Sequence, residues 1–145
     1  MKLSAKARYA CKAIYELAAA YPSRGITRLA ELSQNQDIPL KYLVQILGQL
    51  RRAGLVESRR GAAGGYSLMR TPAQISLGEV LTAVEGPLLG ETELRSSAEK
   101  GTIPGRSAAV ERALGRLKEE VHTAAYGISF EEIVQDSVES LTYQI

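Results

Sequence analysis

Residues 39–69 read PLKYLVQILGQLRRAGLVESRRGAAGGYSLM, and the spacing of their apolar residues changes partway along. In the first half, apolar residues recur every three or four positions, at Leu43, Ile46, Leu47 and Leu50. This period predicts an amphipathic helix over 40–53, which Gly54 ends. Beyond Gly54, the runs 55–60 and 65–69 have the pattern of short strands. Small residues separate the two runs, so this second half is predicted to be a β-hairpin.

Two helices are predicted before this stretch. Ser4 is placed to cap a helix that runs to about residue 21, and Thr27 is placed to cap a short helix over 28–33. Pro39 suits the first turn of the third helix, because its missing N–H would be unpaired there in any residue. Three helices followed closely by a hairpin is the element order of a winged helix-turn-helix.

The second half of the chain is predicted to hold three more helices. Ser76 and Ser129 each stand three residues before a glutamate, a capping box that predicts helices over 76–85 and 129–140. A long helix is predicted between them, over 107–126. Residues 87–106 are rich in glycine, proline and polar residues, which predicts a flexible loop.

The predicted fold class is therefore mainly α with a small β-hairpin wing. Residues 1–86 form a winged helix-turn-helix domain with its supporting fourth helix. The flexible loop 87–106 leads to residues 107–145, which form a long dimerisation helix and a C-terminal helix with its tail. The proposed dimer seam is apolar, with residues four, three and four apart at Val110, Leu114, Leu117 and Val121. The alternative that this seam packs against the fourth helix stays open.

The charge of the chain is unevenly distributed. The 145 residues are 45% apolar and 23% charged, as in globular proteins, and their net charge is +2. Residues 1–70 carry 12 Lys and Arg against 4 acids, whereas residues 71–145 carry 6 against 12. The basic half is thus the part expected to meet a polyanion. No apolar run is long enough to span a bilayer and no secretory signal is recognisable, so we expect a cytoplasmic protein without membrane contact.

Catalytic and metal-binding functions are not expected. The chain has one cysteine, Cys11, and one histidine, His122, which is too few for a structural disulfide or a zinc site. Residues 61–65 are glycine-rich but lack the Lys-Ser/Thr of a phosphate-binding loop. Cys11 lies beside the apolar stripe of the first helix, which favours a small core residue over a redox thiol. We therefore expect neither an enzyme nor a bound cofactor or metal.

The third helix and the hairpin hold the candidate DNA-binding residues. In a helix-turn-helix the second helix of the pair enters the major groove, and the wing reaches phosphates or the minor groove. Side chains suited to base or phosphate contact are Arg28, Leu40, Lys41, Tyr42, Gln45, Gln49, Arg51, Arg52, Arg59 and Arg60. Wing residues Gly64, Gly65 and Tyr66 complete the set. Two alternatives stay open, namely that the glycines only form the turn and that Tyr66 packs under the wing.

Several motifs of the chain resemble the Rrf2 family of bacterial winged-helix transcription regulators, which includes IscR, NsrR and CymR types. They are residues 1–4 (MKLS), 8–10 (RYA), 42–47 (YLVQIL), 50–51 (LR), 54–56 (GLV), 60–61 (RG), 64–66 (GGY) and 85–87 (EGP). The resemblance implies a homodimer that places one recognition helix of each subunit in a palindromic double-stranded DNA operator.

The chain departs from the cluster-binding members of that family at two places. Those members carry three cysteines in the loop after the fourth helix, whereas residues 88–106 contain none. An iron–sulfur cluster is therefore not expected. The chain is instead closer to the CymR-like members, which lack these cysteines and work through a partner protein. Val44 stands where many cluster-type members have glutamate, which predicts a changed operator preference.

The function predicted from the sequence is thus a homodimeric, sequence-specific DNA-binding repressor controlled by a partner protein or a small effector. The alternative is a protein-interaction module that regulates by docking a metabolic enzyme or another regulator.

Overall fold

The computed structural model describes residues 2–23, 25–90 and 105–143. Its helices are α1 (Ala5–Ala20), α2 (Leu29–Gln36), α3 (Leu40–Arg52), α4 (Leu77–Glu85), α5 (Arg106–Gly127) and α6 (Phe130–Tyr143). The two strands are β1 (Val56–Arg59) and β2 (Gly65–Leu68), and a short 3-10 turn covers Pro72–Gln74. This order confirms the predicted fold class, a mainly helical chain with a small antiparallel wing. No helix in the described ranges is long and apolar enough to cross a membrane.

Helix α1 is the centre of the fold, because α2, α3, α4 and α6 all pack against it. The Ser4 hydroxyl accepts a hydrogen bond from the N–H of Ala7 at 3.0 Å, so Ser4 caps the helix as predicted. Its hydroxyl also donates to the carboxylate of Glu85, which ties the start of α1 to the end of α4. One face of α1 is buried, mostly by small residues that let the neighbouring helices approach closely.

The prediction that Thr27 caps α2 is wrong. Thr27 instead forms an isolated β-bridge with Tyr66 of the wing, in which each N–H donates to the other's carbonyl at 2.8 Å. Helix α2 therefore begins at Leu29, behind an Arg28 that makes no side-chain cap. It also runs beyond the predicted end, to Gln36, and Asp37 caps it in the left-handed region. The bridge attaches the wing to the segment before α2.

Helix α3 and the hairpin follow the predicted pattern. The stripe residues Leu43, Ile46, Leu47 and Leu50 are all fully buried. Gly54 follows α3 with a φ of +74°, a conformation in which glycine is favoured. The strands pair in register from Val56 opposite Leu68 to Arg59 opposite Gly65. This arrangement fixes the wing directly behind the C-terminal end of α3.

Both capping boxes form, and they lie side by side. The Ser76 hydroxyl accepts from the N–H of Glu79, and Ser129 does the same with Glu132, each at 3.2 Å. Ser76 and Ser129 are joined by an isolated β-bridge, so the N-terminal ends of α4 and α6 lie next to each other. Phe130 is buried in the core at this point and anchors α6.

The predicted loop and the end of the chain are only partly described. Residues 91–104 lie outside the described residues, so the prediction of a flexible loop over 87–106 is untested. Helix α6 extends to Tyr143, beyond the predicted end at residue 140, and residues 144–145 also lie outside the described part.

Candidate nucleic-acid interface

The outward face of α3 combines polar and apolar side chains. Its buried stripe occupies one side of the helix, so Lys41, Tyr42 and Gln45 are exposed on the other. The Lys41 ammonium lies 5.7 Å from the centre of the Tyr42 ring, close enough for a cation–π contact. On its other side, Tyr42 approaches Tyr9 of α1 with ring centroids 6.4 Å apart. The N-terminal turn of α3 thus presents a positive charge, an aromatic ring and a carboxamide together.

Gln49 is less exposed than the other candidate residues of α3. Its side chain is half-buried, and its Oε1 atom is buried without a hydrogen-bond partner in the described structure. Gln49 lies about 40° further round the helix axis than Gln45, because it stands four positions later. That rotation carries Gln49 toward the buried side of Ile46. Gln49 therefore does not present both amide atoms outward as Gln45 can.

Val44, which the sequence predicts to alter operator preference, was not among the candidate contact residues, but it belongs to the exposed face of α3. Val44 is 53% exposed and stands one helical turn after Leu40, which is 51% exposed. Both lie outside the buried apolar stripe of α3. The signal was available in the sequence, because an apolar residue outside the stripe of an amphipathic helix faces solvent.

Four arginines converge on the wing. Arg59 and Arg60 are exposed where β1 leads into the turn. Arg28 reaches the wing from the start of α2 and donates to the carbonyl of Ala62 at 3.2 Å. Arg51 reaches it from the end of α3 and donates to the Ser58 hydroxyl at 3.2 Å. Arg52 is also exposed at the end of α3, so five arginines lie around the wing and the C-terminal end of α3.

The glycines of the wing are required by the protein's own packing. A Cβ atom at Gly65 would lie 2.4 Å from the Thr27 carbonyl oxygen, and one at Gly64 would lie 2.2 Å from that of Arg59. Tyr66 is half-buried and packs against the core, in agreement with the alternative that it supports the wing from beneath. Gly64, Gly65 and Tyr66 therefore position the wing.

The predicted dimer seam lies on the surface of a helix with few contacts to the rest of the chain. Val110, Leu114 and Leu117 are each more than half exposed and Val121 is half-buried, so packing of the first three against α4 is excluded in this chain. Helix α5 has no buried residue. It is attached near its C-terminal end, where the Tyr126 ring packs on Gly78, whose Cβ would lie 2.4 Å from that ring.

A hydrogen bond of 3.0 Å between the hydroxyls of Tyr126 and Thr82 completes this attachment. His122 stacks on Tyr126 with ring centroids 4.2 Å apart. His122 is thus engaged in a ring contact on the flank of α5. This joint between α4 and α5 connects the wing domain to the seam.

The comparisons with known proteins agree with the resemblance seen in the sequence. Residues 3–136 match the model of the Rrf2 family, described as iron-dependent transcriptional regulators. The regulator IscR of Cereibacter sphaeroides is 51% identical over 86 residues, which cover 59% of this chain and 56% of that protein. IscR of Aliivibrio salmonicida is 34% identical over 137 residues, 94% of this chain and 79% of that protein.

The fold comparison gives the same answer over most of the chain. CymR, the global cysteine regulator of B. subtilis, superposes with a TM-score of 0.76 at 29% identity, covering 93% of this chain and 97% of CymR. The C. sphaeroides match spans just over half of that relative's length. The relatives are transcriptional regulators and not enzymes, which confirms the prediction of a non-catalytic function.

The residues of this chain do not fit a cysteine-ligated iron–sulfur cluster. Such clusters are held by several thiolates, and the chain has a single cysteine. Cys11 is half-buried among apolar neighbours, and this burial raises the pKa of its thiol to about 11. Among the described residues, no three His, Cys, Asp or Glu side chains are grouped so as to hold a metal ion. The set of thiolates that a cysteine-ligated cluster requires is therefore missing from the sequence.

Proposed function

This chain belongs to the Rrf2 family of transcriptional regulators, and from that premise we propose that it represses transcription as a homodimer bound to a palindromic operator. The observation that supports this most is the arrangement of α3 and the wing. The exposed face of α3 and the arginines of the wing lie next to each other on the basic half of the chain, where Arg51 of α3 reaches Ser58 of β1.

In this proposal α3 lies in the major groove with its N-terminal turn toward the bases. Gln45 can form two hydrogen bonds with an adenine edge, and Lys41 can donate to guanine or to a phosphate. Leu40 and Tyr42 flank these contacts. Arg59 and Arg60 bind phosphates or enter the minor groove, and Arg28, Arg51 and Arg52 bind phosphates between the two elements.

The homodimer is proposed to form through the seam of α5. Three exposed aliphatic side chains one turn apart are costly in water, and a second copy of the same stripe would bury them. An isologous contact gives a two-fold axis, which matches a palindromic site. The two recognition helices would then reach half-sites about 10 bp apart on one face of the duplex.

The proposed regulator is cytoplasmic. Its activity is proposed to be controlled by a partner protein or a small effector. The exposed Val138 and Leu141 on α6 favour a protein partner, because they form an apolar surface that the chain itself leaves uncovered. The same surface favours the second candidate function, a module that docks a metabolic enzyme or another regulator. The two functions differ in salt dependence, because DNA affinity falls steeply with salt.

Selection of duplexes from a random library by the purified chain tests the proposal, followed by titration of the best duplex at two salt concentrations. We expect a palindrome whose affinity falls steeply with salt. Arg59→Ala should weaken binding to all duplexes and reduce the salt slope by about one phosphate contact, while Gln45→Ala should cost about 1–3 kcal/mol of discrimination at one base pair.

Arg112→Ala on α5 is the matched control, because it removes one exposed arginine away from the proposed interface. Unchanged discrimination in Gln45→Ala would show that Gln45 does not read a base. A library from which no duplex is enriched would favour the interaction module.

A further inference from the structure

The recognition helix exposes two aliphatic side chains that the fold does not use. Leu40 and Val44 are 51% and 53% exposed, although the core contact of α3 is complete without them. Val44 is not among the hydrophobic residues that pack against the core. Beside Lys41 and Gln45, these aliphatic side chains are available for an apolar contact with a molecule outside this chain.

The two residues form a row along the helix axis. Positions four apart lie one above the other on a helix surface, so Leu40 and Val44 are neighbours and Gly48 continues their row. Lys41 and Gln45 form the adjacent polar row. Nothing lies within 4 Å of the position that a Cβ of Gly48 would occupy, so the row is open at its Gly48 end as well as at the exposed Leu40 and Val44.

The major groove has one apolar feature, the 5-methyl group of thymine. The polar row and the apolar row therefore match different parts of the same groove floor. Gln45 suits the N6 and N7 atoms of adenine, and the neighbouring Val44 suits a thymine methyl group beside that adenine.

We propose that Val44 is a specificity residue that recognises the 5-methyl group of a thymine in each operator half-site, next to the base pair read by Gln45. The inference rests on the proposed function, since it assumes that α3 enters the major groove. It adds a base preference that hydrogen-bonding residues alone would not create.

Thymine-to-uracil replacement tests this directly, because uracil keeps the base pair and removes only the methyl group. Each thymine of the selected duplex is replaced in turn, and the affinities of the wild-type chain and of Val44→Ala are measured for every duplex. We expect one thymine per half-site at which uracil weakens wild-type binding about fourfold, the value of one buried methyl group. In Val44→Ala the same replacement should change affinity by less than about twofold, because the contact is already lost.

Two variants control the result. Val138→Ala truncates a valine of similar exposure, 58%, on α6, and should keep the full uracil effect. Gln45→Ala should also keep the methyl effect while losing discrimination at its own base pair. An equal uracil effect in the wild-type chain and in Val44→Ala at every thymine would overturn the inference and leave the proposed function standing. Failure of the wild-type chain to select any duplex would overturn both.

Discussion

Helices α3 and α5 both present aliphatic side chains to solvent, but they are built differently. Helix α3 is held by four fully buried residues and by the wing behind it, and its exposed face mixes aliphatic with polar groups. Helix α5 has no buried residue and carries an uninterrupted aliphatic seam. A surface of the first kind keeps its geometry in the single chain, as the recognition of a DNA sequence requires. A surface of the second kind leaves its aliphatic side chains in water unless a second molecule covers it.

The largest effect is expected from a charge in the seam. Leu117→Glu should convert the proposed dimer to a monomer and lower affinity for the full palindrome by about 100-fold or more, because an unpaired carboxylate would be buried between the subunits. Sedimentation and titration of full and half operators measure both effects. Thr123→Glu, which adds the same charge at an exposed position on the opposite face of α5, should keep the dimer. A fully dimeric Leu117→Glu protein would remove the seam from the account.

A smaller effect is expected where the wing meets the segment before α2. Gly65→Ala should lower the free energy of unfolding by about 1–3 kcal/mol, because the new Cβ would lie 2.4 Å from a backbone oxygen. Gly48→Ala, in the open row of α3, should instead raise it by about 0.5–1 kcal/mol through the better helix propensity of alanine. Urea unfolding of the two variants measures these opposite signs. Equal effects of both substitutions would contradict the difference in packing described for the two sites.

The helix caps show how much of the fold could be predicted from the sequence. Ser4, Ser76 and Ser129 were placed correctly as caps because a cap depends on residues within one helical turn. Thr27 has the same local signature, but its backbone pairs with Tyr66, which lies far along the chain. Local patterns carry no information about such a partner.

The candidate site shows the same limit. The buried stripe of α3 could be predicted from its period, and with it the exposure of Lys41, Tyr42 and Gln45. Gln49 is half-buried, and the burial of its Oε1 atom could not be predicted from its spacing of four residues after Gln45. Gly64 and Gly65 are needed because the backbones of Arg59 and Thr27 come close to them. This close approach is visible only in the folded structure.

The smallest effect is expected at the start of α4. Glu79 is partly buried, which would raise its pKa, but hydrogen bonds from Ser76 and the Arg70 guanidinium at 2.9 Å outweigh that burial and lower the pKa below its usual value of 4.5. A carboxyl with a lowered pKa stabilises the folded chain above its unfolded pKa, and this contribution is lost as the pH falls through the folded pKa.

Glu79→Gln should therefore lower the urea midpoint slightly at pH 7 and have a smaller effect near pH 3. The change stays well below that of Gly65→Ala, because the ion pair is partly exposed and is screened by solvent. Glu120→Gln removes the same charge from an exposed position on α5, away from this cap, and controls for general charge effects. A difference between Glu79→Gln and the wild-type chain that grows on acidification would contradict the assignment.

A footprint of the chain on its selected duplex tests most directly the claim that α3 and the wing form a DNA-reading surface repeated by a two-fold axis. Methylation interference at guanine N7 reports the major groove, and hydroxyl-radical cleavage reports the backbone on either side. The account predicts two major-groove contacts about 10 bp apart on one face of the duplex, each flanked by a protected backbone segment that Arg59→Ala exposes again. A single unrepeated contact, or protection without major-groove interference, would contradict it.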